Sequence, residues 1–248
     1  MSIEPGALPT PEPGAAPLDA LDLFALGRQA SAARDARLGR RGSFVRARQI
    51  LASGGWRGPR DAAESYVDEA DLGAIGGLEA ARAAGIDLFV GAAEAPTARA
   101  AAQTAAATGL RVLLRFSYRL GESDGERLAR LAAIDAASFA VWGVMPAPAG
   151  EPYGLDTLRL YALCRLALPK VPHLLADVGA LGPRLAQMAF GFGADELFAP
   201  IVAERALRLG ANAHNPALTR KEAATLIRGA GLAACERFSD GTLEEVPS

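Results

Sequence analysis

The chain has 248 residues, 50% of them hydrophobic, enough to bury one sizeable core and within the range of a single α/β barrel or one doubly wound domain. Its formal net charge of -2 and pI near 5.8 exclude the basic face with which a general nucleic-acid binder neutralises phosphates. The two cysteines, Cys164 and Cys235, lie far apart, each in an apolar run, so they form neither a disulfide framework nor a thiolate cluster and read as small core residues.

The first stretch, "MSIEPGALPTPEPGAAP", has neither a basic n-region nor an apolar h-region, and no later window holds about 18 uninterrupted apolar residues. The expectation is a cytoplasmic protein with no membrane partner. Pro5, Pro9, Pro11, Pro13 and Pro17 remove backbone donors and favour extended, solvated chain, so residues 1–17 read as a disordered tail. Residues 18–240 read as one domain, with 241–248 as a C-terminal tail.

From Leu18, apolar residues at near-helical spacing among charges predict an amphipathic helix that ends at Gly39. "GSFVRARQIL" alternates bulky and basic residues as a strand does, and "ASGGWRGPRD" breaks it. "AAESYVDEADLGAIGGLEAARAAG" reads as helical in its second half, closed by Gly85, and "IDLFVGAAEAP" as a short buried strand with a turn.

The alternation then repeats. "TARAAAQTAAATG", "DGERLARLAAIDA", "LDTLRLYALCRLALP", "PRLAQMAFGFG" and "TRKEAATLIRGAG" predict helices, and "LRVLLRFSYRLG", "SFAVWGVMPAPAG", "HLLADVG", "ADELFAPI" and "LAACERF" predict strands. Helices alternating with short apolar strands mean βα units and a parallel sheet, with active groups at the C-terminal strand ends. The expected fold is α/β, a partial or distorted TIM-like barrel of about six or seven parallel strands with an N-terminal helix, too few for a secure eightfold closure.

Several segments resemble one family. "GLDTLRLYALCRLALPKVPHLLADVGALGPRLAQMAFGFGADELFAPI", followed by "LTRKEAATLIRGAGLAACER", resembles the C-terminal half of the radical S-adenosylmethionine enzymes that include aminofutalosine synthase, dehypoxanthine futalosine cyclase and the deazaflavin-precursor synthases. "TGLRVLLRFSYRLGESDGERLARL" and "LDLFALGRQASAARDARLGRRGSFVRAR" resemble that family's middle strand and helix and its entry into the first strand. In the family, the loop after this strand carries CxxxCxxC, whose thiolates hold three irons of a [4Fe–4S] cluster and leave the fourth iron for S-adenosylmethionine.

Here that loop reads "ASGGWRGPRDAAES" and has no cysteine, histidine or compact carboxylate set. The resemblance therefore implies a degenerate, shortened member whose missing length falls between Val45 and Ile86, a span in which the strand register stays open. No cofactor is expected: the [4Fe–4S] cluster and S-adenosylmethionine belong to relatives, and their ligands are absent. Radical chemistry by this chain alone is not expected, because no side chain supplies one-electron reduction of a sulfonium. The glycines of the loop, with Trp56 and Arg57, are expected to plug or bridge the barrel mouth instead.

Candidate site residues follow from the strand ends. Glu94 in "GAAEAP" and Glu122 in "YRLGE" are candidate catalytic carboxylates; the competing readings are a solvated helix cap for Glu94 and, for the "RFSYRLGE" loop, a rim ion pair. Arg115 and Tyr118 in "RFSYR" are candidate anion-binding residues, and Asp177 in "LLADVG" a candidate substrate contact whose competing reading is a helix N-cap. Asp195 and Glu196 match an acidic pair of the family and read as structural. His173 and His214 are isolated from each other and from cysteine, so no metal site is expected. Arg40, Arg41, Arg46 and Arg48 read as a solvated or salt-bridged patch, and the loop glycines lack phosphate-loop spacing.

Two functions are expected from these residues. One is a non-catalytic binding or partner subunit linked to menaquinone (futalosine) biosynthesis, with a second copy or a cluster-bearing radical SAM homologue as partner. The other is a cluster-free lyase or isomerase with Glu94 or Glu122 as general base and Arg115 as anion clamp.

Overall fold

The computed structural model describes residues 17–46, 48–52, 54–57, 64–94, 96–152, 154–202 and 217–247, with the backbone alone at 49, 56, 57 and 202. Residues 1–16 of the predicted tail 1–17 and His214 lie outside the described residues, as do the side chains of Trp56 and Arg57.

Helix α1 (Leu23–Leu38) begins at Asp22, whose side chain accepts the amide of Ala25 at 2.8 Å, and ends at Gly39, which takes a positive φ of 70°. The first strand is split into β1 (Arg41–Phe44) and β2 (Arg48–Ala52), and β3 (Gly55–Arg57) folds back on β2 as a hairpin. Next come β4 (Glu64–Asp68), α2 (Gly77–Ala83), β5 (Leu88–Ala92) and α3 (Pro96–Ala107). They are followed by β6 (Arg111–Tyr118), α4 (Asp124–Asp135), β7 (Gly143–Pro148) and α5 (Gly154–Ala167). Then β8 (His173–Asp177), α6 (Val178–Phe190), β9 (Glu196–Phe198) and a two-residue pair, β10 (Ile201–Val202) with β11 (Leu218–Thr219), lead to α7 (Arg220–Gly229). The chain closes with β12 (Ala233–Arg237) and β13 (Leu243–Glu245).

The main sheet runs β13-β12-β1-β9-β8-β7-β6-β5-β4-β2-β3. Its neighbours are parallel except for the hairpin β2–β3 and the pair β12–β13. Only residues 45–47 separate β1 from β2, yet β1 pairs with β9 and β2 pairs with β4, so the sheet curls back through its own split first strand. Counting that strand once, β4 to β9 and β12 bring the parallel strands among the described residues to eight, one more than the six or seven expected, and the fold is the curled TIM-like α/β barrel that the alternation predicts.

The pleat sorts the side chains into two layers. Val67, Phe89, Val112, Leu114, Phe116, Val144 and Leu197 face the helices and join the large core, while Leu88, Val90, Leu113, Met145 and Leu175 form a second, small cluster inside the curl. Each fully buried side chain of this size contributes about 1.5–3 kcal/mol by leaving water.

The structure corrects the sequence reading in two places. Glu64–Asp68 is a strand, so "IDLFV" follows β4 as the third parallel strand rather than the second, which settles the register left open between Val45 and Ile86. The segment was missed because its inward residues are polar, whereas a buried parallel strand ordinarily reads as a continuous apolar run. Residues read as a C-terminal tail include β13, which pairs antiparallel with β12 through Cys235↔Glu245 and Arg237↔Leu243.

Candidate functional site

The C-terminal strand ends form the barrel mouth, and alternation along each strand decides what reaches it. On β4 the inward residues are Glu64, Tyr66 and Asp68; on β6 they are Arg111, Leu113 and Arg115; on β8, Leu175 and Asp177. At the mouth Arg115 pairs with Asp68 at 2.5 Å, and Tyr66 meets Phe198 edge-on with ring centroids 5.7 Å apart. The guanidinium of Arg48 lies 4.6 Å from the centre of the Phe198 ring, a cation–π contact beneath the opening.

Asp177 ends β8 and caps α6, accepting the amides of Gly179 at 2.8 Å and Ala180 at 3.4 Å. Burial pushes its carboxyl up, and these two amides together with Arg115 and Arg48 offset that only in part. Burial likewise pushes up the phenol of Tyr66. Of the residues expected from sequence, the structure therefore brings Arg115 and Asp177 to the mouth, with Asp177 also filling the capping role.

The other three belong to the helix layer. Tyr118 is three residues beyond Arg115 on β6, so the period of two turns it to the opposite face, where its hydroxyl is 2.6 Å from that of Thr157 on α5. An anion grip by Arg115 and Tyr118 together is thus ruled out by parity. Glu94 and Glu122 both pair with Arg130 of α4, Glu94 at 2.6 Å, and the Arg130 guanidinium covers the Phe116 ring at 4.5 Å. The competing reading of a rim ion pair describes Glu122, and Glu94, exposed and expected in the competing reading to be a solvated helix cap, pairs with the same arginine.

Among the most buried charges, sequence reasoning named Arg48 as part of a solvated or salt-bridged patch and Glu196 as structural, and missed Glu64, Arg111 and Arg237. Arg48 bonds Glu64 at 2.7 Å and also reaches Glu196; Arg237 bonds Glu196 at 2.6 Å and Glu64 at 2.8 Å; Arg111 lies 2.8 Å from Glu64. Glu64 and Glu196 are 1% and 0% exposed, so each would be ruinous unpaired. Burial alone would push Glu196 up, but Arg237 and Arg48 hold it down to about 2, and Glu64 is lowered by the same two arginines. The signal in sequence was one of polarity: acids and arginines at inward positions of strands.

Asp195 belongs to a neighbouring network with Arg165, the amide of Leu174 at 2.6 Å and Nδ1 of His173 at 2.7 Å. Among the described residues no group of three or more His, Cys, Asp or Glu side chains could hold a metal ion, and no helix is long and apolar enough to cross a membrane. Cys164 on α5 and Cys235 on β12 are both buried, and burial pushes both thiols up, away from the thiolate that ligates iron. They do not fit a three-thiolate cluster site.

No family model matches the chain. It is 33% identical over 84 residues to aminodeoxyfutalosine synthase of Thermus thermophilus, a match that covers 34% of this chain and 23% of that protein's length. In fold it is similar to the crystal structure of methylornithine synthase, with a TM-score of 0.60 and 12% identity over 87% of this chain and 91% of that one. A phospho-2-dehydro-3-deoxyheptonate aldolase from Thermotoga maritima covers 77% of this chain and 68% of its own at 10% identity, but a TM-score of 0.30 is too low to bear on the architecture. The sequence match spans about a third of this chain, and the likeness to methylornithine synthase shows the barrel fold alone; both agree with the resemblance drawn from the residues.

Proposed function

We propose that this chain is a cluster-free, radical-SAM-like barrel that serves as a binding or partner subunit linked to menaquinone (futalosine) biosynthesis. The observation that carries the reading is the loop after the first strand. It has no cysteine, its start folds as the β2–β3 hairpin, and the two cysteines of the chain are buried elsewhere as thiols. The link to the menaquinone route rests on the sequence similarity to aminodeoxyfutalosine synthase. A binding role is supported over acid–base turnover, because Asp68 and Arg115 at the mouth pair with each other, and the candidate carboxylates Glu94 and Glu122 pair with Arg130 in the helix layer.

The partner this reading expects is a cluster-bearing homologue, or a second copy of the chain. Size-exclusion chromatography with light scattering, on the chain alone and mixed with reconstituted aminodeoxyfutalosine synthase, tests it. A stoichiometric heteromer or a stable homodimer is expected. A monomer that ignores the enzyme would remove the partner role.

One observation favours the second reading, a cluster-free lyase or isomerase, and moves its acid–base group from Glu94 and Glu122 to Asp177. That carboxyl is raised by burial and lies in reach of the field of Arg115 at the mouth. Carbon-detected NMR titration of Asp177 checks it: an ordinary aspartate value would sink the enzyme reading.

A further inference from the structure

The opposite end of the barrel holds a cleft of about 630 Å³. Arg41 begins β1, Arg111 begins β6, Trp142 precedes β7 and His173 begins β8, so the cleft lies at the N-terminal strand ends, with Ser43 and Arg237 completing its wall. The Trp142 ring is its platform: the Arg111 and Arg237 guanidinium carbons lie 5.2 and 4.8 Å from the ring centre, and the His173 ring centre 4.7 Å away.

The arginines around this cleft are unequally paired. Among the described residues, Arg48, Arg111 and Arg237 make direct ion pairs with two carboxylates, Glu64 and Glu196. Arg48 and Arg237 each pair directly with both acids, while Arg111 pairs directly with Glu64 alone and feels Asp87 and Glu196 only through space, so of the three arginines Arg111 has the fewest direct partners at the cleft wall. Burial lowers the Arg111 guanidinium from its ordinary value, and Glu64 does not make up the loss. The acids on the cleft are already engaged. Asp195 holds Arg165 and Nδ1 of His173, and Asp240 accepts from the amide of Thr242 at 2.9 Å and its hydroxyl at 2.6 Å. With Nδ1 held by Asp195, His173 keeps Nε2 on the far edge of its ring.

We propose that this cleft is a binding site for a small oxyanion, a carboxylate or a phosphate group, clamped by Arg41 and Arg111 over Trp142 with His173 at its edge. The anion gives Arg111 a second direct partner beside Glu64. Arginine suits both groups, since its planar fork matches either one bidentately. The site is separate from the mouth, so it stands or falls independently of the partner role.

Isothermal titration of the full chain in low-chloride buffer with inorganic phosphate, and separately with benzoate, tests the assignment. Saturable binding with a Kd of about 1 mM or tighter is expected for at least one probe, with Arg111→Gln weakening it about tenfold or more. Arg41 is exposed, so Arg41→Ala leaves the fold intact and is expected to weaken binding several-fold, whereas Arg28→Ala, on the exposed face of α1, leaves it unchanged. Preference for phosphate assigns a phosphate-bearing ligand; preference for benzoate assigns an apolar carboxylate. Absence of saturable binding by either probe, or equal binding by Arg41→Ala and the unaltered chain, overturns the proposal.

Discussion

The two ends of this barrel differ in what they do with charge. Below the apolar layer of Leu88, Val90, Leu113, Met145 and Leu175, three arginines and two glutamates lock β2, β4, β6, β9 and β12 together. At the mouth the described residues hold one pair, Asp68 with Arg115, and one capping aspartate, Asp177. In a parallel barrel the C-terminal ends ordinarily carry chemistry and the N-terminal ends stability. Among the described residues, the dense charge lies in the interior rather than at the mouth.

The sharpest way to break the comparison is to remove one interior carboxylate. Glu196→Gln leaves Arg48 and Arg237 partly unpaired in a buried site, and urea denaturation is expected to show a loss of about 3–5 kcal/mol. A smaller change would mean that water or a rearranged arginine replaces the carboxylate easily.

Acid sharpens the same contrast. Glu196 is held down to about 2 in the folded chain, from about 4.5, and Glu64 and Asp195 are also lowered. A carboxyl with a depressed folded pKa contributes stability that is complete above its unfolded value and lost as pH falls through the folded one. Stability is therefore expected to decline from about pH 4.5 towards pH 2, with a shallower slope in Glu196→Gln. Asp177 runs the other way: its raised pKa makes its ionised form a cost at neutral pH, relieved as the pH falls.

A medium effect comes from Tyr161, fully buried on α5, whose hydroxyl donates to the Leu175 carbonyl at 3.0 Å across the helix–sheet interface. Tyr161→Phe is expected to cost about 1–2 kcal/mol in the same denaturation experiment. At the mouth, Asp177→Ala is expected to lose about 1 kcal/mol of capping while Asp177→Asn, which keeps an acceptor, changes stability by only a few tenths. The smallest effect is at the rim, where Glu94→Gln breaks an exposed pair with Arg130 and is expected to cost about 0–1 kcal/mol. A large loss there would place Glu94 in a role the ion pair does not explain.

The helices, the parallel sheet and the curl were legible because their signals are local: apolar spacing, capping residues and glycine stops. β4 was not, since its inward face reads Glu64, Tyr66, Asp68, and the partners that make those charges tolerable are far away in sequence. Glu64 finds Arg237 across 173 positions, and Glu196 finds Arg48 across 148. No spacing rule announces such pairs. At the mouth, Arg115 and Asp177 were legible from the strand-end rule, but pairing Arg115 with Tyr118 ignored the pleat. His173 looked isolated because its partner, Asp195, lies on the next strand's approach rather than beside it in the chain.

The central claim is that this barrel works without a cluster of its own, and anaerobic iron–sulfur reconstitution tests it most directly, with iron and sulfide counted and S-adenosylmethionine binding titrated alongside. The account predicts no stoichiometric iron or sulfide and no cofactor binding that depends on them. A bound [4Fe–4S] cluster on the purified chain would contradict it.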